Sequence, residues 1–125
     1  MLRAYALERR QFGRPLAKFQ MIQSQIAEVA GNLAAASGMM MQVHRLNEAG
    51  TMDMMHAAMG KATSTRLARS SAALARDAFG GNGLLSEYEV SRMMGDIEAI
   101  YSYEGSYGIN ALIVGRALTG VSAFV

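Results

Sequence analysis

The 125 residues suffice for one domain that buries its core without disulfide or metal staples, and leave no room for a second. Apolar residues make up 51% of the chain and charged ones 18%, which excludes a disordered chain, while the lack of cysteine excludes a disulfide framework, a thiolate nucleophile and a cysteine metal site. Twelve Lys and Arg against ten Asp and Glu leave a net charge of +2, well short of the one-sided basic face that a nucleic acid backbone requires.

Met1 to Arg10 has helical propensity but little apolar face of its own, as if continuing something upstream, and ends at Gly13 before Pro15 reopens the chain. The spacing of Ile26, Val29, Leu33, Ala36, Met40 and Val43 predicts a helix from about Leu16 to Asn47, roughly 48 Å long at the usual rise. Gly50 stands where a left-handed cap would end it, and Thr51 or Asp53 can cap the next. A second long helix is expected from about Met54 to Phe79, with Met55, Met59, Ala62, Leu67 and Leu74 inward and its small residues implying close helix contacts. It stops at Gly80-Gly81-Asn82-Gly83. A third fits Glu87 to about Tyr101, with Val90, Met94, Ile97 and Tyr101 on one face, and a fourth fits Ser106 to about Leu118, with Ile109, Leu112, Ile113 and Ala117 inward. No segment alternates convincingly as a strand. The expectation is an all-α fold: an antiparallel four-helix bundle with a short extra N-terminal helix, one domain over residues 1–125. The apolar tail from Ile109 is broken by Asn110, Arg116 and two glycines and is too short for a membrane span. With no secretion signal, the expected location is a bacterial cytoplasm, or the mitochondrial matrix in a eukaryote.

Three places could carry chemistry. Arg9, Arg10 and Arg14 surround the Gly13 turn and could hold a phosphate, or form a solvated helix end. The Gly80–Gly83 run offers open backbone N–H groups, or is only a helix stop, since no strand precedes it as a dinucleotide fingerprint requires. Glu104, between Tyr103 and Gly105, either favours the positive end of the last helix or acts as a general base in a partly dry cleft. His44 and His56 read as bundle residues, and although Asp53 and His56 stand three apart, the paired Glu-x-x-His motifs of a di-iron bundle are missing, so no metal is assigned. The eleven methionines read as core filler.

In chain order, Tyr5-Ala6 with Arg9-x-Gln11-Phe12-Gly13-x-Pro15, Phe19-Gln20-x-Ile22-Gln23, Phe79-Gly80-Gly81-x-Gly83, Arg92 and Tyr103-Glu104-Gly105 together resemble the carboxyl-terminal domain of the acyl-CoA dehydrogenases, itself a four-helix bundle. The glutaryl-CoA branch is the nearest likeness, judged from residues 5–9, 80–83 and 115–120 with Ala123-Phe124. The resemblance implies an FAD-dependent enzyme in which Glu104 abstracts the α-proton of an acyl-CoA thioester while the β-hydride passes to the flavin. In that branch the enoyl product then loses carbon dioxide to give crotonyl-CoA. Electron-transfer flavoprotein would accept the electrons, and the complete enzyme would be a homotetramer. Arg9 would lie near the FAD pyrophosphate, with Phe12 and Gln20 as further contacts, these three reaching the flavin of a neighbouring subunit. Asp77, Ala78, Phe79, Gly80 and Gly81 would line its adenosine end, Ser106 would follow the base onto FAD, and Phe124 would close the far side. Gly105 and Tyr103 would meet the substrate.

The sequence departs from the family at several points. Asp77 replaces a common Gln, which removes an amide donor, although the glutaryl branch also has Asp there. Ser106 replaces the commoner Thr, and Tyr107 and Asn110 are unusual. The resemblance covers the carboxyl-terminal domain only, without the family's amino-terminal helical and middle β-domains, so the isolated chain is expected to be inactive. The competing reading is a free-standing helical interaction protein that keeps the bundle and binds no flavin.

Overall fold

The computed structural model of the chain describes residues 1–124. Helices α1 (Leu2–Glu8), α2 (Gln20–Glu48), α3 (Met54–Ala78), α4 (Glu89–Ser102) and α5 (Tyr107–Thr119) follow in order. The last four form the expected antiparallel all-α bundle, and α1 is the short extra helix. α3 is the central member: α2 packs along one side of it, α4 beside its carboxyl-terminal half and α5 beside its amino-terminal half. Among the described residues, no helix is long and apolar enough to cross a membrane.

The α2–α3 crossing is close because α3 buries small residues, Ala58, Gly60, Ala62, Thr65, Ala72 and Ala78. A Cβ added at Gly60 would lie 2.9 Å from Val43 Cγ2 on α2. At that separation bulky side chains have no room on the centre line, so Met55, Met59, Leu67 and Leu74 are only half-buried. α2 meets chiefly α3, and one narrow stripe suffices: Val29, Asn32, Ala36, Met39 and Val43 are half-buried, whereas Leu33, expected inward, is 67% exposed, and Met40 is exposed too.

The start of α2 also differs from expectation. Leu16–Lys18 is a single 3-10 turn, and Phe19, with φ −97° and ψ 133°, breaks the chain before α2 begins at Gln20. Before that turn, Arg10–Gln11 (β1) pairs antiparallel with Arg14–Pro15 (β2), where a strandless reading expected only a glycine turn. Phe12 and Gly13, at φ 53° and 76°, supply the consecutive left-handed residues that a two-residue hairpin turn needs. Strands of two residues are too short to alternate visibly.

Chain ends of the helices follow local chemistry. Gly50 has φ 67°, as expected, and Gly120, at 73°, ends α5. Asp53, rather than Thr51, caps α3: its Oδ1 accepts the His56 N–H at 3.0 Å, and its own N–H donates to His56 Nδ1 at 3.2 Å. Beyond α3, the 3-10 turn Gly80–Leu84 folds so tightly that a Cβ at Gly83 would lie 2.5 Å from the Arg76 carbonyl oxygen.

The main core lies at this end of the bundle, where Leu2, Ala78, Phe79 and Val90 cluster. The Tyr5 ring stacks on Phe79 with centroids 3.8 Å apart, and Tyr88 stands edge-on to both. Tyr5 Oη donates to the Phe79 carbonyl at 3.3 Å, and Asn82 Nδ2 donates to Tyr5 Oη at 2.8 Å. This network fixes α1, and so the hairpin after it, beside the glycine turn. In α4 the expected face turns inward, led by Val90. In α5 it does so only at Ile113, which is half-buried: Asn110 is the buried residue, 6% exposed, while Ile109, Leu112 and Ala117 are exposed, because the Asn110 amide serves the bend described next.

Candidate functional site

A polar cleft of about 400 Å³ opens where the hairpin meets the end of α3. It brings together six residues singled out from the sequence: Arg9, Asp77, Ala78, Phe79, Gly80 and Gly81. Arg9 ends α1, and its carbonyl accepts the Leu16 N–H at 2.8 Å, which closes the base of the hairpin. Asp77 accepts from Gln25 Nε2 on α2 at 2.8 Å and from the Arg76 guanidinium at 3.2 Å. Ala78 and Phe79 are buried in the core, so only their backbone is available to a ligand. Gly80, at φ 60°, and Gly81 have nothing within 4 Å of where a Cβ would stand, which leaves their backbone open. A cation, a carboxylate and bare backbone together suit a sugar-phosphate ligand.

Phe12 and Gln20 do not line this cleft. Phe12 stands at the hairpin tip, 90% exposed, with its ring edge-on to Phe19 at 6.1 Å, and Gln20 is exposed at the first turn of α2. Arg92 serves its own helix, bridging Glu89 and Asp96 on the surface of α4.

The second place is the bend between α4 and α5, built by Tyr103, Glu104, Gly105 and Ser106. Glu104 has φ 53° and Gly105 φ 89°, so two successive residues are left-handed. That conformation costs a non-glycine residue roughly 1–2 kcal/mol, and its surroundings hold it in place. Lys61, on α3, donates to the carbonyls of Tyr103, of Glu104 at 2.9 Å and of Gly105 at 2.8 Å. Asn110 Nδ2 donates to the carbonyls of Gly105 at 2.7 Å and Ser106 at 3.0 Å. Ser106 Oγ caps α5 by accepting the Ile109 N–H at 3.4 Å. Tyr101 and Tyr107 stack across the bend with centroids 5.7 Å apart, and Arg69, paired with Glu98, covers the Tyr101 ring at 4.8 Å. Glu104 itself is exposed, as is Tyr103, whose ring lies 5.4 Å from Lys61 Nζ. The bend therefore presents a carboxylate on fixed backbone beside a glycine, able to take a proton from a ligand laid against it.

The structure does not join the two places. Lys61 and Asp77 are sixteen positions apart on α3, about 24 Å. Phe124 belongs to neither and borders a third cleft, between the start of α3 and the end of α5, with Met55 and Ile113.

The sequence reading missed Lys61 and Asn110 as site residues. Lys61 did leave a signal, since it is a cation inside a helix with Ala57, Ala58, Ser64 and Thr65 at the positions where a carboxylate partner would stand. Asn110, amid apolar neighbours in α5, left a weaker one.

Residues 1–119 match the profile of "Acyl-CoA dehydrogenase, C-terminal domain", and the chain belongs to the acyl-CoA dehydrogenase family. Cyclohexane-1-carbonyl-CoA dehydrogenase of Geobacter metallireducens is 33% identical over 114 residues, 91% of this chain and 30% of that protein. The crystal structure of glutaryl-CoA dehydrogenase from Mycobacterium smegmatis superposes with a TM-score of 0.95 at 34% identity, covering 99% of this chain and 32% of that one. A glutaryl-CoA dehydrogenase from the same organism in complex with FADH2 gives 0.95 at 29% identity, over 99% and 32%. The chain thus spans about a third of the length of these relatives. The family is FAD-dependent.

Proposed function

We propose that this chain acts as the carboxyl-terminal domain of an FAD-dependent acyl-CoA dehydrogenase, with Glu104 as the base that removes the α-proton of an acyl-CoA thioester. The observation that carries the reading is the exposed Glu104 carboxylate on a backbone fixed by Lys61 and Asn110, within a domain of this family. Bound FAD would supply the hydride acceptor. The chain's own residues do the rest. Glu104 takes the α-proton onto its carboxylate as the β-hydrogen leaves as hydride and the α,β double bond forms. Gly105 lets the thioester approach the backbone, and Tyr103 borders the acyl group.

The cleft at the end of α3 fits the sugar-phosphate part of an FAD held by a neighbouring subunit, with the Arg9 cation toward the pyrophosphate and the backbone of residues 77–81 along the adenosine. Phe12 and Gln20, outside that cleft at the hairpin tip and the first turn of α2, would reach the same neighbouring flavin, in keeping with a homotetramer. Ser106 and Phe124 would complete the contacts.

Glutaryl-CoA is the favoured substrate, with decarboxylation to crotonyl-CoA, on the strength of the M. smegmatis structures. A cyclohexane-1-carbonyl-CoA enzyme is about as similar over this domain. Electron-transfer flavoprotein would be the electron acceptor.

The test is turnover of glutaryl-CoA by the product of the full reading frame, with FAD and an electron acceptor. Glu104→Gln is expected to lower kcat by about 10²- to 10⁴-fold. Turnover equal to the native protein's would remove Glu104 from the reaction. Residues 1–125 alone, with FAD added, should reduce no acceptor.

A further inference from the structure

We propose that Lys61 is the positioning residue for Glu104: its ammonium group fixes the α4–α5 bend by taking three consecutive carbonyls, and so sets where the carboxylate points. The inference rests on the reading of Glu104 as the base.

An ammonium group has three N–H donors. Lys61 directs them to the carbonyls of Tyr103, Glu104 and Gly105, the residues on which the bend is built. These carbonyls follow the last turn of α4, where a helix carries unpaired carbonyls and the negative end of its dipole, so a cation there is favoured by charge as well as by hydrogen bonding. The positive φ of Glu104 and Gly105 lets successive carbonyls face one donor. Lys61 is half-buried on the central helix, and no carboxylate stands three or four positions away on α3 to compete for it. Its O=C end is also in use, accepting the Thr65 hydroxyl at 2.8 Å, which ties the residue into its own helix. The ring of Tyr103 lies beside the ammonium and shields one side of it. From the other side, Asn110 secures the carbonyls of Gly105 and Ser106. Glu104 is thereby held at both flanks through its backbone, while its side chain stays free to meet a ligand.

The geometry demands a compact, rotatable donor. A guanidinium presents its N–H groups in a flat fork suited to two parallel acceptors, so it cannot serve three carbonyls converging on one point. Lys61→Arg should therefore keep the charge and lose the fit.

The test compares Lys61→Met and Lys61→Arg with the native product of the full reading frame, loaded with FAD, in two readouts. Amide hydrogen exchange at residues 103–110 should quicken about tenfold or more in Lys61→Met, with α2 unchanged, as expected when a local opening loses one ordinary interaction. With glutaryl-CoA, kcat should fall by a similar factor while KM moves less than about twofold, since the lost interaction orients the base rather than binding the substrate. Lys61→Arg should recover neither fully. Native exchange at the bend in Lys61→Met overturns the proposal whatever the activity does, and full recovery by Lys61→Arg overturns the three-carbonyl geometry. If Lys61→Met does not fold, Lys61→Gln and Lys61→Arg make the same comparison. The exchange readout does not need Glu104 to be the base, so full turnover by Glu104→Gln would sink the base assignment while leaving the clamp standing or falling on its own result.

Discussion

Phe12 and Glu104 are the two non-glycine residues with positive φ among the described residues, and both stand in motifs that the sequence singled out for chemistry. Such backbone persists only where its neighbours over-determine it. At Glu104 the neighbours are Lys61 and Asn110; at Phe12 they are the hairpin pairing and the Arg10 guanidinium, which donates to the Gly13 carbonyl at 2.9 Å. What motif reading supplied was the identity of the strained residues, and what it lacked at Glu104 was the pair that holds it, because Lys61 lies more than forty positions away and Asn110 on the next helix. Asp53 shows the converse: the cap and its neighbour three positions on were both visible in the sequence, and the structure chose Asp53 over Thr51. The His56 backbone N–H, and then the His56 side chain, favour the Asp53 carboxylate, so its pKa lies below the ordinary 3.8 in the folded chain. A lowered folded pKa gives stability that is present above pH 4 and lost as pH falls through the folded value. Asp53→Asn, which keeps an acceptor but no charge, should therefore melt at lower temperature than the native chain at pH 7, with the gap closing as the pH drops below 3.8. Thermal melts at several pH values check this, and a gap independent of pH would assign the effect to hydrogen bonding alone.

At the scale of elements, the four long helices and their stops were legible because periodicity, Gly50 and the glycine run each left local marks. The rotation of each helix about its axis was less so. Val29, Ala36 and Val43 face α3 as the pattern indicated, but Leu33 and Met40 sit on the flank, since a close crossing admits only a narrow stripe and leaves neighbouring apolar residues outside it. Hydropathy could not reveal that narrowness; the small residues of α3 could. Their effect is measurable at Gly60. Gly60→Ala gains about 1 kcal/mol of helix propensity but forces a methyl to within 2.9 Å of Val43 Cγ2, and overpacking of that kind costs about 1–3 kcal/mol. A net loss of up to about 2 kcal/mol is expected in chemical denaturation. Shortening the partner by Val43→Ala in the same chain should recover part of it, giving a non-additive cycle. Simple additivity would mean that the two helices separate rather than resist.

The molecule as a whole exposes 8113 Å², against about 6,500 Å² for a compact monomer of its size. Large apolar side chains are among what it exposes, Leu33 and Leu118 included. A groove of about 350 Å³ between α2, α3 and α4, lined by Val29, Leu33, Leu67 and Ile97 among others, is open to solvent. The chain by itself should therefore associate at concentrations of about 10–100 µM, and Leu33→Lys, which places a charge on the groove's rim, should shift it toward monomer in sedimentation equilibrium. A native chain that is monomeric throughout that range would show that the groove tolerates water.

One contact also sets an order of events. The Tyr5–Phe79 stack and the Asn82 bond to Tyr5 join residues more than seventy positions apart, whereas α2 and α3 meet as neighbours joined by a short turn. Local contacts form before distant ones because closing a long loop sacrifices chain entropy ahead of any reward. The α2–α3 pair should thus nucleate the fold, and α1 with its hairpin should dock last. Arg9 arrives only with that final step, so the cleft at the end of α3 does not exist in a half-folded chain, and any ligand that needs both of its walls acts as a latch on a bundle already assembled.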